Sequence, residues 1–267
     1  MGCFNFIPEG WNDKREIYEL GAIKEAYETG KTIQGYVDEC DSDCNLYIRL
    51  GKNLTGIIPR KEVDLTSCDE LGLTKASVCR NKLNSFVQFK VKEIPNDNVV
   101  ILSRKKANEE ALNWMIQNLE VGMVVKGIVR NMRRYGVFVE IGSGVVGLLH
   151  IEDISVSRIK SPEDRFAVGQ KIDVVIKSID KENNQIVLSY KELLGTWEEN
   201  LEGIEEKQVL KGIVRETDKY KNGIFIEIKP NLVGLAEYKD GYYYGQRVNV
   251  FVKKIIKDKK KIKLLIV

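Results

Sequence analysis

The chain has 267 residues, 43% hydrophobic and 30% charged, with 42 basic against 39 acidic side chains and a formal net charge of +3. These proportions are ordinary for a soluble globular protein of one large or two to three small domains. The charge is too mild to argue for a nucleic-acid partner by itself, and no run reaches the roughly 18 apolar residues of a membrane helix. The start, MGCFNFIPEG, lacks the basic-then-apolar pattern of a secretion signal, and Phe6 stands where the myristoylation pattern wants Ser or Thr. The expected compartment is the cytoplasm.

Five cysteines, Cys3, Cys40, Cys44, Cys68 and Cys79, all fall in the first third. A cytosolic chain keeps such thiols reduced. Cys40 and Cys44 stand C-x3-C in DECDSDCN, and four thiolates can bind zinc in principle. The spacings are not the tight pairs of structural zinc sites. Small buried or turn cysteines are therefore expected, with no metal and no cofactor.

In chain order, WNDKREIYELGAIKEAYET (residues 11–29) reads as an amphipathic helix. Asn12 or Asp13 can cap it, Ile17, Leu20, Ile23 and Tyr27 form its stripe, and Gly30 stops it. A β-rich segment follows to about residue 104, with Gly35 at its head, GIIP in the middle and the close FVQFKVKEIPNDNVVILS. RKKANEEALNWMIQNL, from Arg104, is a second helix whose stripe is Ala111, Leu112, Met115, Ile116 and Leu119. That stripe is expected to pack under a barrel.

From Gly122 to Ser189 the alternation is clearest. Val125, Gly127 and Val129 share one face and Lys126 and Arg130 the other; Val137, Val139 and Ile141 point inward. Phe138 and Glu140 then point to solvent, and a large aromatic on a wet face is an anomaly. Tyr135 precedes it in the turn, and His150, the sole histidine, lies on the polar side of LLHI. YKELLGTWEENLEG is a linker broken at Gly195. A third β-rich segment repeats the pattern: Gly212 stands at the place of Gly127, and KNGIFIEI repeats RYGVFVEI. The glycine heads at 35, 127 and 212 mark an array of domains, one β-rich segment and one connector per interval. Trp11, Trp114 and Trp197 each stand just upstream of a segment and read as plugs against a barrel base.

The combination of the glycine-valine head, YGVF, GLLHI and VGQKIDVVIKSID…IVLS resembles the bacterial ribosomal protein S1 family and its RNA-binding domain. The resemblance implies a mainly β chain of three tandem five-stranded OB-fold barrels joined by short helical linkers. The expected bounds are an N-terminal helix at 1–29, a diverged barrel at 30–104, a helical linker at 105–119, barrel 2 at 120–190, a linker at 191–203 and barrel 3 at 204–267. In such barrels single strands lie across the second and third strands. By resemblance Tyr135, Phe138 and His150 form the stacking face of barrel 2, with Arg130, Arg133 and Arg134 beside it. Asp180 matches the family's aspartate in the last hairpin. The family's basic residue there falls at Gln185 or Asn184, because this turn is one residue longer.

Barrel 3 offers Phe225 at the Phe138 place and Tyr220, or Asn222, at the Tyr135 place; Glu237 replaces the histidine. Lys259, Lys260 and Lys261 fill its last hairpin. Residues 203–267 hold 15 basic and 8 acidic side chains, net +7, whereas residues 120–192 hold 11 and 10, net +1. Barrel 1 keeps Tyr47 at the Phe138 place, has Asp43 or Cys44 at the Tyr135 place and Pro59 for the histidine, and its turn is acidic at Asp38, Glu39, Asp41 and Asp43. It is expected to bind RNA poorly, and the resemblance implies a protein-facing role such as docking to the small ribosomal subunit.

The chemistry fits these residue types. An exposed aromatic stacks on any base, worth about 1–3 kcal/mol per base, and cations release phosphate counterions. The expected function is therefore non-enzymatic binding of single-stranded RNA, chiefly mRNA, in translation, by a ribosome-associated protein. The alternative is an adaptor whose barrels bind proteins of the ribosome, transcription or RNA-decay machinery. An enzyme fits poorly: no nucleophile has a histidine beyond His150, no carboxylates cluster at metal spacing, and no glycine-rich loop precedes Lys-Ser or Lys-Thr.

Overall fold

A computed structural model describes residues 6–218 and 223–267. Among the described residues, fifteen strands close into three five-stranded barrels. Barrel 1 comprises β1 (Ile33–Cys40), β2 (Leu46–Arg49), β3 (Thr55–Ile58), β4 (Phe86–Asn96) and β5 (Val99–Ser103). Barrel 2 comprises β6 (Val124–Arg133), β7 (Gly136–Gly142), β8 (Val145–His150), β9 (Lys171–Asp180) and β10 (Gln185–Ser189). Barrel 3 comprises β11 (Val209–Asp218), β12 (Gly223–Lys229), β13 (Leu232–Ala236), β14 (Arg247–Ile256) and β15 (Lys261–Ile266), and the α-helices among the described residues are α1 (Leu20–Thr29), α2 (Ala76–Arg80), α3 (Arg104–Asn118) and α4 (Trp197–Leu201). In each, the first three strands form a meander, the third pairs in parallel with the fifth, and the fourth closes on the first. That is OB-fold topology.

The inward residues make three separate cores, with Val129, Val139, Ile141, Leu149, Val174 and Leu188 at the centre of barrel 2. The glycine heads have a packing reason. A Cβ on Gly127 would lie 2.4 Å from Val139 Cγ1, and one on Gly212 would lie 2.4 Å from Ile226 Cγ2. Only a missing side chain lets the first strand of so narrow a barrel coil over the second.

Each first strand also carries a β-bulge at the equivalent residue: Asp38 in barrel 1, Arg130 in barrel 2 and Arg215 in barrel 3. A bulge re-aims the side chain of its extra residue, and here all three aim at the preceding part of the chain. Asp38 accepts from Arg15 at 3.1 Å. Arg130 donates to the Glu9 carbonyl at 2.5 Å and through Nε to Glu140 at 2.6 Å. Arg215 lies 3.7 Å from Asp164 of barrel 2 and donates to Glu227 at 2.6 Å, and Glu227 also accepts from Arg165 of barrel 2 at 2.5 Å.

The barrel 1–barrel 2 junction is buried. Arg104 opens α3 (Arg104–Asn118) and grips Glu9 with Nε and Nη2 at 2.7 and 3.0 Å. Both residues are at most 3% exposed. Glu140 accepts from the Glu9 and Gly144 backbone N–H groups at 2.6 and 2.9 Å. The sequence places Glu140 on the wet face; instead the N-terminal segment covers it. Burial and the Glu9 carboxylate push its pKa up. Burial would raise Glu9 too, but Arg104 and Lys82 hold it well below the usual carboxylate range. The α3 stripe packs under barrel 2, with Ala111, Met115 and Leu119 in its core.

The N-terminal helix is shorter than its periodicity predicts. Only α1 (Leu20–Thr29) is helical, and Gly30 ends it at φ 66°. Residues 11–19 run over the barrels because tertiary bonds take their backbone groups: Tyr18 N–H donates to Leu50 O at 2.6 Å, and Lys171 donates to Trp11 O at 2.8 Å. Ile17 is consequently 81% exposed, although the helical stripe would have buried it. Trp11 lies near barrel 2 rather than at the base of barrel 1, with Lys126 and Lys171 over its ring. Among the described residues, no helix is long and apolar enough to cross a membrane. Cys40, Cys44, Cys68 and Cys79 are free thiols. Burial, then Cys44 and Cys40, pushes Cys79 up to about 11.

Candidate nucleic-acid interface

Register places one outward row in the same position on all three barrels. In barrel 2 it runs Asn131, Phe138, Leu148, Val187. In barrel 3 it runs Glu216, Phe225, Leu235, Lys263. In barrel 1 it runs Glu39, Tyr47, Ile57, Ile101. The aromatic on the second strand is thus the common element, flanked by an aliphatic residue on the third. Alternation marks the aromatic but not Leu148 and Val187, because Leu148 reaches Phe138 through the β7–β8 pairing and Val187 joins the row only through the parallel pairing of β8 with β10.

On barrel 2, Tyr135 is half exposed, and its ring meets Phe138 edge-to-face with centroids 6.1 Å apart. His150 is brought beside the pair by its pairing with Gly136. A Cβ on Gly136 would lie 2.5 Å from Leu149 O, so glycine is what allows the two strands to meet there. His150 Nδ1 accepts from the Glu152 backbone N–H at 3.4 Å, which directs Nε2 away from that turn. Arg133 and Arg134 are exposed at the turn. Arg130 is not with them: its bulge turns it into the ion pair with Glu140, away from the aromatic face. The structure therefore does not bring the three arginines together, and the reason is the bulge.

Asp180 caps its own hairpin, accepting from the Glu182 and Asn183 backbone N–H groups, each at 3.0 Å, and from Asn183 Nδ2 at 2.8 Å. Those bonds, Asn183 Nδ2 first, hold its carboxyl below the usual range. Asn184 and Lys260 both adopt left-handed backbone, φ 54° and 47°, so Gln185 and Lys261 occupy matching first positions of the last strands. Gln185 therefore stands where barrel 3 has a lysine.

On barrel 3, Lys259 and Lys261 are exposed, and Lys260 pairs with Glu198 at 2.9 Å. Phe225 lines a groove of about 590 Å³ together with Leu235, Lys261, Lys263, Trp197 and Arg158. Tyr220 and Asn222 lie outside the described residues. Tyr244 is drawn away to the barrel 2 junction, donating to Asp164 at 2.5 Å and accepting from Lys160 N–H at 2.8 Å. On barrel 1, the Tyr47 hydroxyl is spent on Asp41 at 3.1 Å. Among the described residues, no group of three or more His, Cys, Asp or Glu side chains could hold a metal ion.

The model of the S1 RNA binding domain matches residues 118–191. The small ribosomal subunit protein bS1 of Staphylococcus saprophyticus is 31% identical over 234 residues, covering 85% of this chain and 56% of that protein. The protein of the same name from Staphylococcus haemolyticus is 36% identical over 198 residues, covering 67% and 50%. The chain spans about half the length of the curated relatives it matches. Among solved structures, a multidomain protein with nucleic acid binding domains from Streptococcus pneumoniae covers 89% of this chain and 73% of its own at 15% identity, with a TM-score of 0.27.

Proposed function

We propose that the chain, whose residues 118–191 match the S1 RNA binding domain, binds single-stranded RNA, mRNA foremost, in translation, by stacking rather than by catalysis. The observation that carries this is the Tyr135–Phe138 edge-to-face pair beside His150, outside a closed barrel and within residues 118–191. Three side chains with π-faces, rimmed by Arg133 and Arg134, suit splayed bases with their phosphates at the edge. Barrel 3 adds Phe225 and the cations of Lys259 and Lys261. Work on the small ribosomal subunit in the cytoplasm is part of the same proposal, supported by the name of the relatives. Barrel 1 is its protein-facing part: Tyr47 is tied to Asp41, and Glu39 stands opposite it, so this face repels phosphate.

Filter binding of an unstructured oligonucleotide against its duplex tests the reading. Tighter binding of the single strand is expected. Equal affinity would leave charge alone and remove the stacking account.

A further inference from the structure

The outward rows of barrels 2 and 3 differ at one telling position. Opposite Phe138 stands the neutral Asn131, whereas opposite Phe225 stands Glu216. A carboxylate beside a stacking ring repels the phosphates of any strand lying there. The structure answers this charge from the neighbouring barrel: Arg158, in the loop between β8 and β9, donates to both Glu216 oxygens at 3.1 and 3.0 Å. Its loop is held by backbone bonds across the junction, from Ser157 N–H to Pro230 O at 3.2 Å and from Val156 N–H to Asn231 Oδ1 at 3.0 Å. The same groove takes its side wall from the linker. Trp197 of α4 (Trp197–Leu201) packs on the barrel 3 core yet lines the groove, and its buried Nε1 has no hydrogen-bond partner.

Resting on the function proposed above, we infer that this groove is a nucleotide subsite for single-stranded RNA assembled from three parts. Barrel 3 supplies Phe225 and Leu235 as the floor and Lys261 and Lys263 as the cationic rim, the linker supplies Trp197, and barrel 2 supplies Arg158 to neutralise Glu216. Barrel 3 then binds RNA more tightly while docked to barrel 2, and a bound strand crosses that junction. The net +7 of residues 203–267 suits a polyanion.

The full chain with Arg158→Gln, Glu216→Gln, both together, Trp197→Phe or Trp197→Ala is titrated with an oligouridylate of about 12 nucleotides, within the span that OB folds cover. Arg158→Gln is expected to weaken binding by up to about five-fold, the scale of one exposed charge pair. The double variant is expected to return to the parent affinity, since removing Glu216's charge makes Arg158 unnecessary. Trp197→Ala is expected to lose about ten-fold, one stacked base, and Trp197→Phe to keep most of the affinity. Arg158 is 81% exposed, so its removal leaves the core intact even where Trp197→Ala does not fold. Parent-level binding by Arg158→Gln, or failure of the double variant to recover, overturns the composite site while leaving RNA binding standing. Equal loss of an oligoglutamate probe in the same variants overturns the nucleotide assignment. A parent chain that binds no oligouridylate overturns the general reading as well.

Discussion

Barrels 2 and 3 are docked by one device at unequal depth. Both place an arginine on the first-strand bulge and a glutamate on the second strand, Arg130 with Glu140 and Arg215 with Glu227, and both let the preceding module complete the pair. At barrel 2 the completing group is the N-terminal segment, sealed by the buried Arg104–Glu9 pair. At barrel 3 it is Arg165 together with more exposed contacts such as Arg158–Glu216. The outer faces differ too: barrel 2 is richer in rings and barrel 3 in lysines. One fold thus puts the docking of its modules and the rings or charges of its outer faces onto different sides of the same strands.

The largest test of this contrast is at the junctions. Arg104→Met leaves Glu9 buried without its main cation and is expected to cost about 3–5 kcal/mol of stability, read by chemical denaturation. Arg215→Met leaves Glu227 still paired with Arg165, so its cost is expected to be clearly smaller; equal costs would remove the claimed difference in depth. Next come the faces. Tyr135→Ala and Phe138→Ala are each expected to lose about 1–3 kcal/mol of affinity for single-stranded RNA, with an unchanged slope of log affinity against log salt. Changing Lys259 and Lys261 to Gln is expected to flatten that slope by about 0.7 for each lysine on a phosphate, whereas Lys260→Gln, already paired with Glu198, changes it least. A slope that flattens for the aromatic variants and not for the lysine variants would reverse the division of roles.

The smallest effect concerns pH. Burial would raise Glu227, but the hydrogen bonds from Arg165 and Arg215 hold it below the usual carboxylate range. A depressed carboxyl adds stability above its unfolded pKa of about 4.3, and that stability is lost as pH falls through the folded value. Energy transfer between dyes on barrels 2 and 3 is therefore expected to stay constant from pH 7 to about 5 and to change only below about 4. A change centred near pH 6 would place the control elsewhere.

Much of this was legible in the linear chain because it depends on local periodicity. Inward valines and isoleucines every second residue, a glycine where a narrow barrel coils, and the recurrence of Gly35, Gly127 and Gly212 dictate three barrels. Phe138, Phe225 and Tyr47 are outward by the same alternation. Other features needed the tertiary structure, for identifiable reasons. One extra residue at a bulge turns Arg130 toward the Glu9 and Glu140 junction. Covering by a distant segment buries Glu140, whose neighbours in sequence say it is exposed. Backbone bonds from residues 11–19 to two barrels outweigh a helical stripe, since a short helix has little stability of its own. The neutralisation of Glu216 by Arg158 joins residues 58 positions apart across two domains. Alternation within a strand determined the barrels and their aromatic faces; the docking of one barrel on the next decided which charges remain free on the outer faces, because pairing across a junction depends on distances that no periodicity encodes.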